Sequence, residues 1–581
     1  MTVSQEVLTT RPVTSESVKR GPSFLAKAFG ITAVLSAAGS GLGLLRDLLL
    51  ARFFGADEGT DAFLVAWTVP ETAAPLLIED AMTFLMVPAF SLALVLREER
   101  SAQRLDGADP VRQLTADTLP WLLGGLCALS GATMLWAPEV VHVLAPGLAD
   151  PSLAVTCTRI TAVSVLPFGL AGYLGAALRA HHRFTAPAAI YVAYNLGILA
   201  VLAVLHSVLG VRAAALGVAF GSLLMAGLLI GPFLRALRGG RPARGRAARG
   251  GRGLLLSPLA LLPVAAFTLT RQSQVFIERA LGSDLPVGTI SHLNYAAKVS
   301  QLAMTTALLI CTVTFPLVAR ALAAGDLAAA RDRVEKDLGQ AAAVVLVGTA
   351  FLIACAHPVV ALIFQRGAFG PADTAATAQV IQVYSCGLLA QALIGVMVRP
   401  FFSMRPAVRR ADDPRLGQAG RWLLDWYPVA AMAIGLVVTT AVGLLSTHRF
   451  GALGLAAGNA AGITTTAVLL LRGLALRGIA LRMPQVLAAQ ARLLVAAGGA
   501  AVAGTLVARL VRAEALSIAV GGAVVLAVYL ALGVLLGAHE LTAPLTRGLA
   551  LARGWRARRS VSGSRSAGEE LLEEGTLPDG C

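Results

Sequence analysis

The chain has 581 residues, 48 Lys and Arg against 33 Asp and Glu, a formal net charge of +15, and 56% hydrophobic but only 14% charged residues. That charge content, with a mean hydropathy of +0.73, lies far from a water-soluble globular chain at about 25% charged. It excludes a soluble enzyme, a disordered chain and a disulfide-stapled secreted fold. At about 20 apolar residues per crossing, the composition describes an all-α polytopic membrane protein.

Residues 1–23 are polar, with Arg11, Lys19 and Arg20 and no cleavage pattern after the first apolar run, and read as a cytoplasmic tail. Apolar segments then recur at 29–51, 61–95, 119–137, 156–178, 187–209, 213–236, 254–277, 288–318, 338–356, 376–402, 424–446, 451–471, 488–508 and 515–537, which predicts fourteen transmembrane helices. Pro70, Glu71 and Pro75 interrupt the second. Such breaks are tolerated where a helix lines a cavity rather than lipid. Five of the six cysteines lie in apolar stretches without a CxxC pair and read as small buried hydrophobes.

The loops set the expected orientation. Alternate loops carry Arg97, Arg100, Arg104 and Arg112; Arg179 and Arg183; seven arginines from Arg235 to Arg252; Arg320, Arg331, Arg333 and Lys336; five arginines from Arg405 to Arg421; and Arg472, Arg477 and Arg482. The intervening loops hold none to two each. The positive-inside rule then places both termini in the cytoplasm. Only four of the 48 basic residues are lysine, so the arginine richness reflects a general bias rather than nucleic-acid binding. The Arg-rich run 235–253 reads as a basic cytoplasmic hinge, touching anionic lipid at most. The organisation expected is an N-lobe of six helices (24–234), that hinge, a C-lobe of six helices (254–483), two further helices (484–540), and a cytoplasmic, disordered tail (541–581).

An internal repeat supports the two lobes. Arg52-Phe-Phe-Gly55 parallels Arg279-Ala-Leu-Gly282 at an offset of 227, Pro88 parallels Pro316 at 228, and Gly175 and Arg179 parallel Gly395 and Arg399 at 220. An offset of six helices preserves orientation and gives parallel repeats, a transporter plan worked by rocking one half against the other.

Ionisable groups at membrane depth cost about 2.5–3.5 kcal/mol each and mark function or pairing. The first two segments hold Arg46, Asp47, Asp61, Glu71, Glu79 and Asp80; Arg159, Arg271, Glu278, Lys298 and Arg399 follow. Arg46 and Asp47, adjacent on a helix, point about 100° apart and are not expected to face each other. One reading pairs Asp61 with Arg46 or Arg52 to tie the first two segments together. The other sets Arg46, Lys298, Arg271 and Arg159 around a hydrated cavity for an anionic head group, with Asp61, Asp47, Glu79, Arg52 and Arg279 as gating or ion-pair residues. The sequence has no GxxxxGK[ST], HExxH or GxSxG motif, so neither ATP hydrolysis nor catalysis is expected. His181-His182 reads as solvated rather than metal-bound. No cofactor is expected, and transport is either passive or driven by a sodium gradient or the membrane potential.

The stretch Gly41 to Pro70 (GLGLLRDLLLARFFGADEGTDAFLVAWTVP) resembles the opening of the MviN/MurJ family, and Gln274 to Lys298, Phe364 to Thr374 and Arg399-Pro-Phe-Phe-Ser403 agree with it. The resemblance implies fourteen helices in two lobes around a V-shaped cavity. Its cargo would be lipid II, the undecaprenyl-pyrophosphate-linked disaccharide pentapeptide, moved from inner to outer leaflet for peptidoglycan assembly. It further implies that Arg46 and Lys298 engage the pyrophosphate, with lysine standing where arginine is usual, and that Asp61 takes part in gating. A lysine is a point donor and cannot grip phosphate bidentately. The chain departs from the family at Ser40, Ala74-Pro75, Ala297 and the residues after Ser403. A flippase for another polyprenyl-linked glycan or amphiphile, and a non-transporting cell-wall scaffold or regulator, are the alternatives. Membrane lipids and cell-wall synthesis proteins are the expected partners of a monomer in the bacterial cytoplasmic membrane; nucleic acid is not.

Overall fold

A computed structural model of the chain describes residues 22–102, 109–148, 150–238, 258–323, 326–403 and 418–541. Most of the expected tail 1–23, the hinge from residue 239 onward, the arginine-rich stretch 404–417 and residues 542–581 lie outside the described residues.

The described chain forms helices in two compact units. The first comprises residues up to Phe54 together with Ala62–Leu269; the second comprises Gly55–Asp61 and the residues from Thr270 onward. The boundary falls inside a helix at 269/270, and the seven residues 55–61, three of linker and the first four of the second helix, group with the second unit.

The first unit runs α1 (Pro22–Phe54), α2 (Glu58–Ala74), a π-helical turn (Pro75–Ala81), α3 (Met82–Ala102), α4 (Pro110–Leu135), α5 (Ala137–Leu144), α6 (Ser152–Ala162), α7 (Val165–Ala180), α8 (Thr185–Ala188), α9 (Ile190–Leu209) and α10 (Arg212–Arg238). The expected second segment is thus one helical run with a π turn inserted. Pro75 has no N–H to give to the preceding turn, and the ladder slips there to i→i+5 bonds. Gly172 of α7 packs against the Leu77 carbonyl of this turn, where any Cβ would overlap it.

The second unit runs α11 (Pro258–Gly282), α12 (Thr289–Ala323), α13 (Leu327–Phe364), α14 (Pro371–Ser385), α15 (Leu388–Ser403), α16 (Gln418–Phe450), α17 (Ala452–Leu476), α18 (Met483–Leu510) and α19 (Glu514–Leu535). Asp109 and Asp326 cap α4 and α13 by accepting the Val111 and Ala329 amides. The repeat reappears in where the helices bend. The break at Trp136 two residues before Pro138 matches the kink at Cys355 three residues before Pro358, and the prolines opening the next helical piece, Pro151 and Pro371, are again 220 apart.

Among the described residues eleven helices are long and apolar enough to cross a membrane, and α14 and α15, bent by 45° at their break, pass the same test only when taken together. The two remaining predicted segments are also helical, as α11 and α12, 25 and 35 residues long. α11 is interrupted by Arg271, Glu278 and Arg279, whereas α12, polar in its first two turns, runs on through residues 302–319 without a charged side chain.

Within each unit one helix pair is closed by small residues. Along α16 and α17, Gly435, Thr439 and Gly443 face Gly458 and Gly462; a Cβ at Gly458 would lie 2.8 Å from the Thr439 carbonyl oxygen and 2.9 Å from the Gly443 nitrogen. In the first unit, a Cβ on Gly197 of α9 would lie 2.6 Å from the Cα of Gly221 in α10. In lipid, where no hydrophobic gain drives helices together, such backbone approach supplies the packing.

Candidate functional site

Two buried polar clusters stand out, one in each unit. In the first, Arg46 lies on α1, 9% exposed, and its neighbour Asp47 is 2% exposed. The Arg46 Nη2 and Nε donate to Asp47 Oδ1 at 2.8 and 3.0 Å, and Nη1 donates to Asn195 Oδ1 of α9 at 3.3 Å. The guanidinium also lies 4.1 Å from the ring centroid of Trp67 on α2, a cation–π contact. Asn195 is oriented by its own amide, which donates to the carbonyls of Gly39 and Tyr191 at 3.0 and 2.9 Å.

This corrects the expectation that Arg46 and Asp47 do not face each other. Their Cα–Cβ bonds diverge, but four rotatable bonds let the arginine curl back onto the next residue's carboxylate. Burial makes that contact worthwhile, because an unpaired charge there would be more costly than the lost rotamers. Two of the five guanidinium N–H groups stay outside these bonds.

The second cluster surrounds Asp61, 7% exposed. It pairs with neither Arg46 nor Arg52, and that reading is corrected. Its carboxylate accepts the backbone N–H of Gly288 (2.8 Å), the backbone N–H of Ser291 (2.8 Å) and the Ser291 hydroxyl (2.5 Å). It thus caps the start of α12 from outside that helix, where the orphan N–H groups and the positive end of the dipole favour an anion. Arg279, 3% exposed, donates to the Ile290 carbonyl (3.1 Å) and to Asn294 Oδ1 (3.2 Å), fastening α11 to the same turns of α12. Beside them His292 Nδ1 lies 3.0 Å from Thr377 Oγ1 and its Nε2 3.8 Å from Asp373.

The other expected residues are dispersed. Arg159 on α6 and Arg271 on α11 are exposed, Arg52 at the end of α1 is exposed, and Lys298 on α12 is half-buried with interactions of its own. Glu79 is exposed on the π turn and accepts the Tyr191 hydroxyl at 2.6 Å. His181 is engaged rather than solvated: its Nδ1–H is given to the Ala177 carbonyl at 2.8 Å, and burial holds the imidazole below its ordinary pKa. Among the described residues no group of three His, Cys, Asp or Glu could hold a metal ion. Asn195, Trp67, Gly288 and Ser291 were not legible in the sequence. Asn195, a lone amide in a run of apolar residues, carried the one signal that could have found it.

The family model described as "Lipid II flippase MurJ" matches residues 50–409. A probable lipid II flippase MurJ of Rhizobium meliloti (strain 1021) is 28% identical over 374 residues, 62% of this chain and 67% of the relative. The lipid II flippase MurJ of Burkholderia cenocepacia is 26% identical over 452 residues, 75% and 81% respectively. Among solved structures, a lipid II flippase MurJ in an inward closed conformation superposes with a TM-score of 0.66 at 16% identity, covering 86% of this chain and 97% of that one. An inward-facing multidrug transporter of the MATE family superposes with a TM-score of 0.58 at 12% identity, covering 77% and 98%.

Proposed function

The chain belongs to the MurJ family of lipid II flippases, and on that premise we propose that it carries lipid II from the inner to the outer leaflet of the bacterial cytoplasmic membrane by alternating access. It is a transporter, not an enzyme. The observation that carries this reading is the family match over residues 50–409, which takes in the buried Asp61 and Arg279 and begins just after Arg46 and Asp47.

The termini lie in the cytoplasm, in keeping with the arginine-rich loops. The pyrophosphate is held by Arg46 and Lys298, with the exposed cations Arg159 and Arg271 attracting it at longer range, and the prenyl tail stays in lipid. Arg46 has two N–H groups left for an anion, and exchange of Asp47 for phosphate oxygens frees two more. Release of Asp61 from the α12 amides, with Arg279 still fastened to α12, is the gating step; Glu79 and Arg52 act on the exposed surface. The chain works as a monomer without ATP, driven by a sodium gradient or the membrane potential, alongside cell-wall synthesis proteins.

Binding of labelled lipid II to the purified protein tests this: Arg46→Ala loses it, and a chain that binds equally well without Arg46 refutes the assignment. Cells depleted of the protein accumulate lipid II on the inner leaflet. Normal exposure there with a missing surface glycan indicates another polyprenyl-linked cargo. One observation favours a non-transporting scaffold: Arg46 already has an internal counter-ion. Charge reversal at Arg46 and Lys298 without phenotype would decide for that reading.

A further inference from the structure

A recess of about 290 Å³ lies in the first unit, walled by Met82, Leu85 and Met86 of α3, by Asp117, Thr118, Trp121 and Leu122 of α4, and by Tyr173 of α7. None of these residues belongs to the Arg46 cluster. The wall is apolar and aromatic except for one charge. Thr118 gives its hydroxyl proton to the Leu114 carbonyl at 2.7 Å, so the Tyr173 hydroxyl must donate to Thr118 Oγ1 at 2.8 Å. Neither proton is left for Asp117, which forms no hydrogen bond or ion pair among the described residues.

Depth sharpens the point. The polar end of α4 is marked by the Arg97–Asp109 ion pair and by Arg112, whose guanidinium donates to the Leu237 carbonyl at 3.1 and 3.2 Å. Asp117 lies seven residues beyond Pro110, about 10 Å deeper at 1.5 Å per residue. A carboxylate set this far along a membrane-spanning helix, in an apolar recess and without a partner, is a candidate binding group.

We infer that this recess binds an organic monocation with an apolar body: the charge rests against Asp117, the body against the indole of Trp121 and the Met and Leu side chains. Trp121, 75% exposed, is unpacked and offers a ring face of the kind quaternary ammonium groups seek. A metal ion is disfavoured by the chemistry, because one carboxylate among thioethers and hydrocarbon supplies too few oxygen ligands. A volume near the lower end of the range for small-molecule pockets, about 300–1,000 Å³, selects a compact ligand.

The test is calorimetric titration of the purified full chain in lipid nanodiscs with benzyltrimethylammonium, and with its uncharged isostere neopentylbenzene. Wild type binds the cation saturably and the isostere at least about tenfold more weakly, a difference expected of a desolvated charge contact. Asp117→Asn weakens the cation at least about tenfold; Trp121→Ala weakens it about fivefold. Asp117→Glu keeps binding, and Arg46→Ala keeps it too, which separates this recess from the lipid II site. Absence of saturable binding overturns the inference, as does equal binding by Asp117→Asn, equal binding of the isostere, or loss of binding in Asp117→Glu while that variant elutes as a folded monodisperse species.

Discussion

Removing the Asp61 carboxylate should loosen the start of α12 by an amount that its geometry sets. The group accepts two backbone N–H bonds at 2.8 Å and one hydroxyl bond at 2.5 Å. A helix cap contributes about 1 kcal/mol, and each hydrogen bond to a charged group about 1.5–3 kcal/mol net. The three bonds share one acceptor group and water recovers part of them, which leaves about 2–4 kcal/mol for Asp61→Ala. The lower bound is about a 30-fold change in a local opening equilibrium. Amide hydrogen exchange read by mass spectrometry over residues 286–293 measures it. Protection at Gly288 and Ser291 falls about 30-fold or more in Asp61→Ala, by less in Asp61→Asn, which keeps one amide oxygen, and not at all in α17. Unchanged protection in Asp61→Ala would show that the carboxylate does not hold this helix start, and the gating assignment would go with it.

Arg46→Ala leaves Asp47, 2% exposed, without its cation, and should cost about 3–5 kcal/mol in thermal or denaturant unfolding; adding Asp47→Asn in the same chain recovers most of that loss, whereas simple additivity would refute the pairing. Gly458→Ala sets a Cβ 2.8 Å from the Thr439 carbonyl oxygen and should destabilise by about 1–3 kcal/mol. Gly498→Ala on α18, with nothing within 4 Å, should be neutral or gain up to about 1 kcal/mol from helix propensity. His181 sits outside the spans with its pKa lowered by burial, so the unfolded chain binds the proton more readily. Stability is therefore full above the ordinary histidine pKa and is lost as pH falls through it. The melting temperature of wild type should drop more between pH 7 and 5 than that of His181→Gln, and equal drops would refute the assignment.

Helices were legible because a bilayer demands long apolar runs, and these survive any detail of packing. Their ends and bends were less so. The stretch holding Asp117 reads as loop when segments are bounded by hydropathy, since Arg112, Gln113 and Asp117 dilute it; yet Asp109-Pro110 is a helix-start signature, and the helix does begin there. The Arg46–Asp47 pair was hidden because side-chain reach, unlike helical phase, leaves no spacing pattern. The partners of Asp61 are largely backbone amides, present at every residue and therefore silent in sequence. The weak hydropathy of α11 has the same origin as its interest: Arg271, Glu278 and Arg279, charges that a fold must satisfy, also lower the average by which a span is recognised.

The glycine-lined seams of α9 with α10 and of α16 with α17 have a mechanical consequence. Two helices that touch largely through their backbones cannot roll over one another without first separating, because no long side chain at the points of closest approach can change rotamer to make room. Each pair therefore resists torsion as a stiff double beam, and deformation is diverted to the bends near Trp136, Cys355 and the π turn, where the hydrogen-bond ladder is already interrupted. Natural variation along these beams should be confined to their outer, lipid-facing flanks.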